Sequence, residues 1–287
     1  MRTLDTPSDV VAARGWIGSL RLVAAYQLLS DHPGFGGLSA VQAVGPDLLL
    51  LSDRSHLFRA RRVEATDGHL TGLRDWAELP LPPELAKADT EALALLPDGR
   101  LVVGSENRES LYRLDADGRA TPIKLPPFLR HPPRNKGIEA LAALPDGRLL
   151  AITEGLYVGP DLTAAGLLNG DHAVPLKASA PDGFEPTDAN LAGGTLLLLE
   201  RRLSLLGGLE ARLLAISLAD ALAHPSQPLD GPVLARLGVG TFGENFEGVA
   251  VRSAADGGYL LDLVSDDNFN PLLRTLLVEL AWKPPPR

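Results

Sequence analysis

Apolar residues in this chain fall in short runs bounded by Gly, Pro, Asp and Asn, and they are rarely spaced as a helix face would be. The runs come in pairs. An acidic or hydroxyl residue opens the first run, a tight turn reverses it, and the second run closes on a carboxylate. EALALLPDGRLVVGSE (Glu91 to Glu106) and EALAALPDGRLLAITE (Glu139 to Glu154) are the clearest copies. SAVQAVGPDLLLLSD (39–53), DANLAGGTLLLLE (188–200) and EGVAVRSAADGGYLLDLVSD (247–266) follow the same plan. Asp-Gly and Gly-rich turns between such runs predict β-hairpins. Residues equidistant from a turn face each other, so Ser39 should meet Asp53, Glu91 Ser105–Glu106, Glu139 Thr153–Glu154, Asp188 Leu199–Glu200, and Glu247 Asp266. Every hairpin then carries its acids at the open end.

Successive openings lie 52, 48, 49 and 59 residues apart. Repeats of roughly 40–50 residues built from short strands mark a β-propeller, with four antiparallel strands per blade and the first strand lining a central channel. The expected fold is therefore all-β, one propeller domain over residues 1–287, with 1–15 and 283–287 as flexible tails. Blade one reads 38–44, 48–53, 57–63 and 70–79; blade two reads 91–96, 101–106, 110–115 and 121–125. Blade three opens at Ile138 and closes near 173–176, and its middle, GLYVGPDLTAAGLLNGD, is long enough for an insertion. Blade four reads 187–191, 195–201, 212–218 and 232–237. Blade five has three strands from Phe246 to Trp282, so its outer strand must come from 16–29 and the two chain ends close the ring. Five blades account for the strands. Six stay open, because the stretch from Glu247 through the N-terminus to Ser39 exceeds one ordinary blade.

This layout puts the loops between second and third strands, and those between blades, on the acidic face. The other face gets mainly PDG hairpin turns. Composition narrows the chemistry further. A formal net charge of −9 argues against nucleic acid and suits a cation. The absence of cysteine removes disulfides, thiolate zinc sites and thiol nucleophiles. No apolar stretch approaches the roughly 20 residues that span a bilayer, and the first residues lack a secretion-signal layout. As written the chain is expected to be cytoplasmic, or exported if a leader has been removed.

Two ionised carboxylates about 5 Å apart repel by roughly 3 kcal/mol at an effective dielectric near 20. A ring of them needs protons, basic partners or bound cations. Oxygen donors without Cys, and with no His in the repeat, favour Ca²⁺, with Asn107, Asn190, Asn245 and Asn268 as neutral donors. Basic residues on the same face (Arg54, Arg108, Arg130, Arg134, Lys136, Arg201) would suit a small anionic ligand. Each is equally explained as a loop charge paired with a neighbouring acid. GVGTFG (238–243) is followed by a strand rather than the helix a nucleotide fold needs, and GLSAV (37–41) lacks a nucleophile elbow's final glycine. His131 falls in a loop of the acidic face.

The hairpins DTEALALLPDGRLVVGSE and GIEALAALPDGRLLAITEG, with FGGLSA…LSDR, PTDANL…LLLLERR and NFEGVAV…LVSDDNF, resemble the phytase-like proteins described as having esterase-like activity. The resemblance covers about Gly36 to Trp282. It implies a propeller with Ca²⁺-dependent hydrolysis of phosphate esters. By matching position it makes Asp53, Glu91, Glu139, Asp188, Glu247 and Asp266 the metal-face candidates. On that reading Arg54, Arg108 or Arg201 holds the substrate's negative oxygens, and Glu106 or Glu154 is the general base. Two other readings stand beside it: a non-catalytic propeller whose structural cation supports protein or ligand docking, and a lactonase-like hydrolase.

Overall fold

The protein's structure, a computed structural model, describes residues 1–106, 110–205 and 207–285. The chain opens with β1 (Arg2–Thr3), α1 (Ser8–Ala12), β2 (Trp16–Ile17) and β3 (Leu20–Gln27). Blade one follows as β4 (Leu38–Val44), β5 (Asp47–Ser52), β6 (Leu57–Glu64) and β7 (Leu70–Leu79). Blade two is β8 (Thr90–Leu95), β9 (Leu101–Ser105), β10 (Ser110–Leu114) and β11 (Ala120–Ile123). Blade three is β12 (Ile138–Ala143), β13 (Leu149–Gly159), β14 (Leu162–Asn169) and β15 (His172–Ser179). Blade four is β16 (Glu185–Ala192), β17 (Thr195–Ser204), β18 (Gly208–Ser217), α2 (Leu218–Ala223) and β19 (Val233–Leu237). Blade five is β20 (Asn245–Ser253), β21 (Tyr259–Asp266) and β22 (Leu276–Trp282), completed on its outer edge by β3.

Five antiparallel blades thus form the ring, and the N-terminal strand closes it. Parts of the N-terminal segment pack on the propeller. β1 pairs with β3, and Val10 of α1 is buried in the apolar layer between blades four and five. The long middle of blade three holds no insertion: it is the β13–β14 hairpin, extended past the ring.

There is no single core. Apolar side chains form five clusters, one between each pair of neighbouring blades. This explains the unbroken leucine runs. Side chains alternate faces along a strand, so one that is sandwiched on both sides needs apolar residues throughout. In β5, Leu48 and Leu50 face blade five while Leu49 and Leu51 face blade two. In β17, Leu196 and Leu198 face blade three while Leu197 and Leu199 face blade five. At about 25 cal/mol per Å² of apolar area, these layers are the main favourable term for a fold with little helix.

Candidate active site at the channel mouth

Each of the five inner strands breaks register once near its mouth end: between Leu38 and Ala40, Thr90 and Ala92, Ile138 and Ala140, Pro186 and Asp188, and Phe246 and Gly248. A bulge of this kind sets two residues against one and re-aims the extra side chain. The extra residues are Ser39, Glu91, Glu139, Thr187 and Glu247. One step beyond the break, the second strands place Asp53, Glu106, Glu154, Arg201 and Asp266 at the mouth. These two rings, with Asn135 and Asn268, line a cleft of about 140 Å³ at the mouth; Ser39 alone of the ten is not on its wall. A larger cavity of about 440 Å³ lies at the opposite end, between the turns at Pro97–Gly99 and Pro145–Gly147. There Arg100 is already paired with Asp98, and Arg113 with Asp115, so the unbalanced charge belongs to the smaller cleft.

Of the residues expected at the metal face, the cleft collects Asp53, Glu91, Glu139, Glu247 and Asp266. Asp188 is displaced from it. The bulge gives the inward position to Thr187, one residue earlier, and Asp188 turns into the seam between blades. There it is fully buried, and its carboxylate accepts from the main-chain N–H groups of Ala189 and Val249, both at 2.8 Å. Glu200, expected at the open end of its hairpin, is likewise buried, bonded to Arg212. Arg201 holds the mouth position that carries an acid in the other four blades.

Of the residues expected to act on substrate, Glu106, Glu154 and Arg201 line the cleft. Arg54 lies beside Asp53 with its guanidinium 3.3 Å over the Phe269 ring. Arg108 and Asn107 lie outside the described residues. Asn245 donates to Glu247 (2.7 Å), whereas Asn190 is a brace rather than a donor to a cation. Its amide bonds Gln42 across the axis (3.3 Å) and the Val249 carbonyl (3.0 Å), while Gln42 donates to the Leu93 carbonyl (2.9 Å). This brace ties four blades together beneath the cleft.

The charges in the cleft are unevenly distributed. Lys136 reaches both Glu154 (2.6 Å) and Glu185 (2.7 Å), and Arg201 lies 2.8 Å from Glu247 and 3.7 Å from Glu154. Burial, then the hydrogen bond with Glu185, pushes Glu154 up to about 8. Burial works the same way on Glu185, but hydrogen bonds from Glu154, Lys136 and Tyr157 outweigh it and hold that carboxyl at about 2. Across the cleft, Asp89, Glu91 and Glu106 bring one oxygen each within 4.8 Å of one another. Burial and the Asp89 charge push Glu106 up to about 7. Burial, then the charges of Glu139, Glu247 and Asp89, raises Glu91 well above the carboxylate range. Glu139 is raised in the same way, by burial and then by Glu154, Glu106 and Glu247. Its Oε1 is buried with no hydrogen-bond partner. Asp266 reaches about 7, chiefly through burial, with Glu247 and Asp53 adding to it.

An all-oxygen donor set of this density, with no sulfur or imidazole in it, fits Ca²⁺. Two ligand oxygens on opposite sides of a Ca²⁺ at about 2.4 Å stand about 4.8 Å apart, so the three-carboxylate group matches a shared ion in span. Sequence reasoning missed Asp89 and Glu185. Both are the residues facing the ends of their second strands: the Asp89 carbonyl accepts from the Glu106 N–H (2.8 Å), and Glu185 is in register with Arg201. Reading two residues upstream of each opening acid would have found Asp89.

A family model described as "Phytase-like: Esterase-like activity of phytase" matches residues 33–269. No curated protein matches the chain. Similar solved structures include a virginiamycin B lyase from Staphylococcus aureus (12% identity, TM-score 0.43, covering 91% of this chain and 75% of that one). A streptogramin B lyase (9%, 0.44, 89% and 97%) and a luciferin-regenerating enzyme (15%, 0.47, 86% and 78%) are also similar. At such identities and scores, the activities of those proteins do not transfer to this chain.

Proposed function

Because the chain belongs to the phytase-like family described by the esterase-like activity of phytase, we propose that it is a Ca²⁺-dependent hydrolase of phosphate esters acting at the channel mouth. What supports this reading above all is the crowding of carboxylates into one small cleft, with the Glu139 Oε1 left buried and unpartnered. Such a wall is costly without a positive guest. Asp89, Glu91, Glu106 and Glu139 would hold the ion, with Asp53, Glu247 and Asp266 on the surrounding wall. Bound there, Ca²⁺ supplies a Lewis acid for a phosphoryl oxygen and acidifies a nearby water.

The chain's own residues provide the rest. Arg54, which makes no ion pair among the described residues, offers its guanidinium at the rim to the ester's non-bridging oxygens. Arg201 supplies fixed positive charge deeper in the cleft. Glu154, raised by burial to about 8 and outside the ion's donor set, is suited to take a proton from an attacking water at mildly alkaline pH. The Gln42–Asn190 brace spans the channel below, which favours access from the acidic mouth.

The test is turnover of a panel of phosphate monoesters, carboxylate esters and lactones by the full chain, before and after exhaustive chelation. Phosphate-ester hydrolysis that disappears on chelation and returns with Ca²⁺ is expected. Turnover that survives chelation contradicts the proposal, and turnover of lactones alone moves the assignment to lactone hydrolysis.

A further inference from the structure

We infer that the cleft binds one divalent ion, seated off the axis against Asp89, Glu91, Glu106 and Glu139, and that Arg201 and Lys136 occupy the place of a second. This deepens the proposed function and rests on it. The starting point is the inequality of equivalent positions. The end of the second strand is acidic in blades one, two, three and five, and is Arg201 in blade four. That one substitution divides the cleft.

On the side of Arg201, Glu154, Glu185 and Glu247 already have a covalently fixed cation. Lys136 spans Glu154 and Glu185 at 2.6 and 2.7 Å. Arg201 lies 2.8 Å from Glu247 and reaches towards Glu154 at 3.7 Å. An ion entering there would meet two positive side chains and carboxylates already engaged. The blade two side is the reverse. Among the described residues no basic group lies within ion-pair distance of Asp89, Glu91 or Glu106, whose three oxygens fall within 4.8 Å of one another.

A separate observation marks the same side as wanting a ligand. Glu139, from the adjoining blade three, lies on the same cleft wall and is 8% exposed, and its Oε1 has no hydrogen-bond partner. A buried carboxylate oxygen with nothing to accept from is expensive unless a cation meets it. Ca²⁺ is the class of ion that four carboxylate donors with room for water would take.

The experiment is calorimetric titration of Ca²⁺ into the chelator-stripped full chain and three variants, with circular dichroism confirming each fold. Wild type should bind one ion per chain. Glu106→Gln should weaken that ion by about tenfold or more, since Ca²⁺ affinity follows the number of charged ligands. Arg201→Gln should admit a second ion, and Arg201→Lys should keep the count at one. Two ions in wild type, or an unchanged affinity in Glu106→Gln, overturns the inference while leaving the proposed hydrolase intact. No Ca²⁺ bound by wild type overturns both. If Arg201→Gln does not fold, Glu106→Gln still decides.

Discussion

Replacing Glu139 by Gln should stabilise the ion-free protein and at the same time blunt its response to Ca²⁺. Gln keeps the shape of the side chain and removes its charge. In the wild type this carboxyl is buried against Glu154, Glu106 and Glu247, which holds its folded value well above the ordinary 4.5. A raised carboxyl keeps its proton in the fold and loses it in the unfolded chain. Its share of stability is therefore complete below pH 4.5 and drains away as pH rises towards the folded value. The ceiling on that loss is about 1.4 kcal/mol per pH unit. Neighbouring carboxyls share the protons, so about 1–3 kcal/mol at pH 8 is the expected gain for Glu139→Gln. For a large domain this is a rise in Tm of about 2–4 °C per kcal/mol. The assay is a thermal melt at pH 8 and at pH 4.5, each with chelator or with excess Ca²⁺. The variant should melt higher than wild type at pH 8 in chelator, match it at pH 4.5, and gain less from Ca²⁺. A variant that melts no higher in chelator, yet gains as much from Ca²⁺ as wild type, would refute the reasoning.

Other parts of the fold make further predictions. Arg252 is buried in blade five, donating to Asp262 (2.6 and 3.1 Å), Glu279 (2.7 Å) and Glu64 (3.1 Å). Arg252→Met strands Asp262 and Glu279 without their cation and should cost about 3–5 kcal/mol in denaturant unfolding, whereas the exposed Arg119→Met should leave the midpoint unchanged. Gly37 has φ +58°, and a Cβ there would stand 2.3 Å from Asp53 Oδ1 and 2.5 Å from the Phe269 ring. Gly37→Ala should displace Asp53 and lower Tm, an effect read in a thermal melt. Removing residues 1–28 takes β3 from the edge of β22, and the truncated chain should aggregate in size-exclusion chromatography.

Why so much of the architecture can be read from the chain, and less of the site, follows from where each kind of information resides. PDG turns fix hairpins locally, and four leucines in a row at 48–51 and 196–199 can only be satisfied between two sheets. Those cues yield the blades and their order. Counting outward from a turn also pairs Asp188 with Leu199, as observed. What it cannot see is the bulge. Aligned on the bulges, Asp188 matches Ala92 and Ala140, and Thr187 matches Glu91 and Glu139, so the fourth blade's acid falls one position too deep. The Lys136–Glu185 pair was hidden for another reason. Its members, a loop residue before blade three and the first residue of β16, lie 49 residues apart, and only the packing of blade three on blade four brings them together. The N-terminal segment hides its role similarly, because Asp9 meets the Gly240 carbonyl only once blade five is complete.

Crystals grown with Ca²⁺, measured near an energy where calcium scatters anomalously, test the central claim most directly. A single anomalous peak within about 2.3–2.6 Å of oxygens from Asp89, Glu91, Glu106 and Glu139 is the predicted result. No peak in the cleft, with these carboxylates meeting only water or protons, would contradict it.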